Sequence, residues 1–186
     1  MGKIRTFIAV DVEGILASKL EKLVESIKST GAPVKGVEAE NFHVTLKFIG
    51  EIDEEMIDTI EEIMKHSVNG IEPHKVVLKG IGAFPNPFRP RVVWVGLEGA
   101  EKLTTISSRL TKSLREKGIK VDTKQFVPHI TLARVKGYRN IDKLSEWIET
   151  MRDIEIGELE VKKIRLKKSI LTPRGPIYET LREVEL

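Results

Sequence analysis

Cysteine is absent from the 186-residue chain. That excludes a disulfide framework, a thiolate nucleophile and a Cys-based metal site. Glutamine occurs once and asparagine four times, beside 31 Lys and Arg and 28 Asp and Glu, a balance typical of heat-adapted proteins. No apolar run reaches the roughly eighteen residues of a membrane span, and MGKIRTFIAV has neither the apolar core nor the cleavage site of a signal peptide. A cytoplasmic protein that uses no membrane is expected. The four histidines form no His-x-His or His-x-x-x-Asp spacing, so no metal centre is expected. Gly14, Gly36, Gly80 and Gly82 match no phosphate-cradling pattern, and no low-complexity tract is present.

What the chain does contain is a repetition. His43-Val44-Thr45-Leu46 returns as His129-Ile130-Thr131-Leu132, each inside an apolar run that reads as a β-strand. Arg5 opens RTFIAVDV 38 residues before His43, and Arg91 opens RVVWVGLE 38 residues before His129. KVVLKGIGAF from Lys75 has its counterpart 86 residues on, in VKKIRLKKSIL from Val161. Between these runs lie four stripes at helical spacing: Leu16/Leu20/Leu23/Ile27, Met56/Ile60/Ile63, Leu103/Ile106/Leu110/Leu114 and Leu144/Ile148/Met151. Gly31 and Gly118 mark the ends of the first and third helices, and Asp53 and Asn140 are the expected N-caps of the second and fourth. FPNPFRPR, residues 84–91, carries three prolines and reads as a connecting loop.

These patterns predict an α+β protein in which a unit of strand, helix, strand, helix, strand is duplicated, over approximately 1–86 and 87–186. The 40% hydrophobic content suits one bilobal domain of two pseudo-symmetric, closely packed lobes, with antiparallel β-sheets lining a central cleft and helices outside. Residues two apart on a strand share a face, so each repeated phrase puts His and Thr on one side and its aliphatic pair in the core.

Displacement at phosphorus calls for an entering and a leaving oxygen roughly in line, while charge grows on the equatorial oxygens. One imidazole can remove a proton as the other supplies one, because the ordinary histidine pKa keeps both forms accessible near neutrality. Thr45 and Thr131 can donate hydrogen bonds to the non-bridging oxygens. With 12 threonines in 186 residues, two of four histidines acquire Thr at this position by chance with a probability of only about 2%. His66 and His74 lack this context, and His66 is expected at the surface.

HVTLKFIG and FVPHITLAR resemble the two signature strands of the two-histidine phosphoesterase superfamily. Within it, RTFIAV, RPRVVW and SILTPRGPIYETL resemble the RNA 2',3'-cyclic phosphodiesterases, also named 2'-5' RNA ligases, over essentially the whole chain. The resemblance implies cofactor-free, metal-independent hydrolysis of an RNA 2',3'-cyclic phosphate to a 2'-phosphate, with reversible ATP-independent 2'-5' ligation in some relatives. It implies His43 as proton donor, His129 as proton acceptor, and Thr45 and Thr131 as phosphate ligands. It also brings in Arg134 as a substrate ligand and Tyr178 as a residue lining the cleft. Five residues from His129, Arg134 faces the wrong side of a regular strand, so this role requires a bulge, bend or strand end. The expected partner is RNA with a cyclic phosphate end, tRNA fragments included, bound by a monomer.

Net charge is +3, with Lys162, Lys163, Arg165, Lys167 and Lys168 clustered near the C-terminus. This cluster is expected to be a solvated strand face, ahead of a role in steering RNA. Phe84 and Phe88 are expected to plug the junction between lobes rather than to stack RNA bases beside Arg89 and Arg91. Two other readings stay open at this level: a relative acting on another cyclic nucleotide or a 2'-5' oligonucleotide, and a non-catalytic RNA-binding module.

Overall fold

The computed structural model describes residues 2–186. Helices form where the apolar stripes recur. α1 (Gly14–Ser29) buries Leu20, Leu23 and Ile27, and α2 (Ile57–Ser67) buries Ile60 and Ile63. α3 (Glu101–Glu116) buries Leu103, Ile106, Leu110 and Leu114, and α4 (Ile141–Thr150) buries Leu144 and Ile148. Gly31 and Gly118, at φ +85° and +79°, end α1 and α3 in the left-handed conformation that other residues resist. The helix starts differ from expectation. Asp53 leads into a 3-10 turn, Glu54–Met56, and neither Asp53 nor Asn140 makes a side-chain cap. The Asn140 amide instead donates to the Gly31 carbonyl at 3.2 Å, tying the start of α4 to the end of α1.

Nine strands among the described residues make one curled antiparallel sheet. They are β1 (Lys3–Asp11), β2 (Val34–Gly36), β3 (His43–Asp53), β4 (His74–Phe84), β5 (Val92–Glu98), β6 (His129–Val135), β7 (Glu155–Val161), β8 (Lys163–Thr172) and β9 (Gly175–Glu185). The order is β7-β4-β5-β6-β3-β1-β8-β9, with β2 on β6. The halves of the sheet join at a single pair, Val44 opposite Ile130.

The lobes are not the two halves of the sequence. β4, from the first half, pairs with β5 of the second, and β8, from the second, pairs with β1 of the first. α1 packs on β6 and β7, while α3 packs on β3. Each half therefore lends two strands and a helix to the opposite lobe, β2, β4 and α1 from the first and β8, β9 and α3 from the second. The loop after β4 closes the β4–β5 hairpin, with the Asn86 carboxamide oxygen accepting from the Phe88 and Arg89 N–H groups.

The helices cover one face of the sheet and leave the other to the cleft. Val44, Leu46, Ile130 and Leu132 are all buried under the helices, so the alternating residues must face the other way. No helix among the described residues is long and apolar enough to cross a membrane.

Candidate active site

The Val44–Ile130 pair fixes the geometry. In an antiparallel register it sets His43 beside Thr131 and Thr45 beside His129, so the four residues surround one point on the concave face. Each imidazole Nδ1 lies against the carbonyl two residues earlier, His43 on Asn41 at 2.7 Å and His129 on Val127 at 2.6 Å. A carbonyl accepts only from N–H, which fixes the proton on Nδ1 and leaves Nε2 of the neutral ring as the reactive nitrogen. His43 Nε2 is 3.0 Å from the Thr45 hydroxyl oxygen.

Both strands bulge just after the threonine. The register slips opposite Leu46-Lys47 on β3 and opposite Leu132-Ala133 on β6, and both residues of each pair are buried. A bulge adds one residue and so reverses the parity beyond it. Arg134 thereby comes onto the same face as His129 and Thr131, the condition that its sequence position demanded. The carbonyls at the bulges are satisfied from outside the ladder: Leu46 accepts from the Ser107 hydroxyl at 2.7 Å, and Leu132 from the Val37 N–H at 2.9 Å.

A cleft of about 410 Å³ contains His43, Thr45, Thr131, Arg134 and Tyr178, together with Arg5, Lys35, Phe48 and Arg174. His129 reaches the same face from β6. Its ring meets Phe84 edge-on at 5.1 Å and stands 6.3 Å from Trp94. Phe7 and Tyr178 lie 5.0 and 5.4 Å from the His43 ring. The loop aromatics thus depart from expectation: Phe84 backs a histidine, and Phe88 is 80% exposed, because the hairpin carries it away from the junction.

Burial holds the His43 pKa below the ordinary imidazole value, reinforced by the like charges of Lys167 and His129 and opposed by the Asn41 carbonyl and Asp11. Burial raises the Tyr178 phenol, while Arg134 pulls it down.

Behind His43 stands a network that the sequence pattern does not reveal. Asp11 lies directly across from His43 on β1 and receives hydrogen bonds from Lys167 and Arg165, while Arg165 also binds Glu13 and Glu183. Lys167 is only 7% exposed. The C-terminal basic cluster is therefore not simply a solvated face: β8 turns Arg165 and Lys167 toward β1, where carboxylates meet them. Burial alone would raise the Asp11 pKa, but these hydrogen bonds outweigh it and hold the carboxyl below its usual range.

Gly82 touches the site from beneath. A Cβ there would lie 2.4 Å from the Trp94 ring. Gly82→Ala is expected to displace the indole from beside Phe84 and His129, costing about 1–3 kcal/mol by overpacking. A thermal melt, with turnover measured well below the transition, checks this. Unchanged values for both would mean that the ring is not held as described.

Among the described residues, no three His, Asp or Glu side chains gather as a metal site. The fold and the paired His-Thr strands define a two-histidine phosphoesterase. The LigT-like phosphoesterase family model matches the chain twice, over residues 10–94 and 95–178, and the chain belongs to that family. It is 47% identical to the RNA 2',3'-cyclic phosphodiesterase of Aeropyrum pernix, covering 91% of this chain and 96% of that protein. It is 40% identical to the protein of the same name from Methanothermobacter thermautotrophicus, covering 95% of each. A crystal structure from Thermus thermophilus superposes with a TM-score of 0.81 at 26% identity, covering 98% of both chains.

Proposed function

We propose that the chain hydrolyses the 2',3'-cyclic phosphate end of RNA to a 2'-phosphate without a metal ion. The observation that carries this reading is the convergence of two His-Thr pairs on one point, each imidazole held through Nδ1 by a carbonyl, which leaves Nε2 for proton transfer, on His43 beside the Thr45 hydroxyl. Water attacks phosphorus as His129 Nε2 takes its proton, and the bond from phosphorus to the 3'-oxygen breaks as protonated His43 donates to that oxygen. One O–P bond forms, one breaks, and one proton enters and one leaves the imidazole pair. Thr45 and Thr131 donate to the non-bridging oxygens, and Arg134 offsets their charge. Tyr178 borders the ribose. The tRNA fragments left by cleavage are suitable substrates for a monomer of this kind.

The reverse reaction exchanges the two histidines' roles. With the 5'-hydroxyl of a second RNA in place of water as the nucleophile, and the 3'-oxygen again the leaving group, the forward step forms a 2'-5' linkage without ATP, and cleavage of that linkage is the reverse. Incubating the protein with RNA bearing a 2',3'-cyclic phosphate, with chelator and without nucleotide triphosphate, tests the whole reading. A 2'-phosphate product at an undiminished rate is expected. A 3'-phosphate product, or loss of activity on chelation, would sink it.

A further inference from the structure

The bulge on β3 turns a charged side chain inward. Parity alone would set Lys47 beside His43 and Thr45 in the cleft; the extra residue sends it into the core instead, where it lies across from Ile8 and is only 6% exposed. In the duplicated strand the same position is the buried Ala133. A buried lysine is costly unless its head finds partners, and an apolar side chain would fill the space at lower cost, so the destination of the ammonium matters. Lys47 Nζ donates to the Asp122 main-chain carbonyl at 2.6 Å, while the Asp122 carboxylate is more distant, at 3.5 Å, and half exposed. That carboxylate also accepts from the Lys124 N–H at 3.1 Å.

Asp122 belongs to residues 119–128, the connection from α3 to β6, which has neither helix nor strand. This connection delivers His129, and its Val127 carbonyl holds the Nδ1 of the ring. Ile119, Val121 and Phe126 rest against the core, but apolar contact is non-directional and does not aim a carbonyl. The hydrogen bond from Lys47, made five residues before Val127, has a direction. The approach to His43 is secured otherwise: the Val12 N–H donates to the Phe42 carbonyl, and the Asn41 amide donates to the Pro176 carbonyl.

We propose that Lys47 is a positioning residue for His129: by fixing the connection at Asp122 it sets the Val127 carbonyl, and through that carbonyl the tautomer and the place of the imidazole in the cleft. The strand that carries one histidine thereby anchors the segment that carries the other, so the two rings keep one separation. The bulge on β3 serves this coupling twice, since its Leu46 carbonyl accepts from Ser107 of α3, the helix from which the same connection departs. The expected effect on turnover rests on the phosphodiesterase reading, whereas the effect on the ring does not.

Lys47→Met tests this, because it keeps the bulk of the stem, removes the donor and leaves Asp122 solvated. The fold is expected to survive, as a melting curve checks, and Lys47→Leu repeats the test should the thioether not pack. Nitrogen NMR of the four histidines reads the rings without substrate. In the variant His129 is expected to lose its uniform Nδ1–H form and populate the Nε2–H tautomer, while His43 stays as in wild type. With a 2',3'-cyclic mononucleotide, kcat is expected to fall about ten- to a hundredfold with KM within about twofold, the mark of a displaced reacting group. Asp122→Asn keeps the carbonyl and is expected to match wild type within about twofold in both constants. An unaltered His129 ring, a rise in KM without loss of kcat, or an equal loss in Asp122→Asn would overturn the assignment. A changed His129 tautomer with no turnover by the wild type keeps the positioning role and removes the phosphodiesterase reading. Wild-type turnover with a ring that ignores the substitution does the reverse.

Discussion

His43→Ala and His129→Ala are each expected to lower turnover of a cyclic phosphate substrate by about a thousandfold, within the range that positioned general acids and bases supply. The double variant is expected to fall little further, because two groups acting in one proton relay are not independent. Folding survives in each case. The neighbours that anchor the strands, Val44, Leu46, Ile130 and Leu132, face the core and are untouched. Circular dichroism and a melting curve beside the kinetics separate lost chemistry from lost structure. A correctly folded double variant with near-normal hydrolysis would end the two-histidine mechanism. The pH profile adds a second constraint: the limb of kcat/KM that belongs to His43 should lie below the ordinary imidazole pKa, because the buried ring resists charging.

Asp11→Asn is expected to be the most damaging substitution that does not touch the reacting groups. Lys167 is buried and its ion pair is with Asp11, whereas Arg165 retains Glu13 and Glu183. Breaking such a pair leaves an uncompensated buried charge, at a cost of about 3 kcal/mol. For a chain of this size that is a fall of about 6–12 °C in melting temperature. The pH dependence follows from the Asp11 pKa, which is lower folded than unfolded. Its contribution is fully present above the unfolded carboxylate value of about 3.9 and is lost as pH falls through the folded value. The gap between variant and wild type should therefore be open at neutrality and close below about pH 4. Asp11 also favours the charged His43 ring, so the His43 limb should move to lower pH in the variant. A variant with wild-type stability and an unmoved profile would show that the network neither supports the sheet nor tunes the histidine.

The catalytic candidates were legible because strand parity is a local rule. His43, Thr45, His129 and Thr131 each needed only their own strand to reach the right face, and the repeated spacing linked the two strands. The helical stripes and the glycine stops at Gly31 and Gly118 are local in the same sense. Arg134 and Phe48 were not legible this way, since each depends on one extra residue of bulge. The signal was nonetheless in the chain: both phrases are followed by a buried pair and then by a cleft-facing residue three positions after the threonine. For Lys167, sequence gives a cation in a basic run, and only the pairing of β8 with β1 supplies the carboxylate that makes its burial tolerable.

The chain by itself determined its strands and helices, their duplication and the two His-Thr pairs, because periodicity and side-chain direction act over a few residues. Tertiary structure alone decided that each half lends two strands and a helix to the other lobe, that the halves meet at Val44–Ile130, and that Asp11 stands behind His43. Those outcomes depend on which strand edges pair across long stretches of chain, where backbone hydrogen bonding is nearly indifferent to sequence and burial of the whole apolar surface makes the choice.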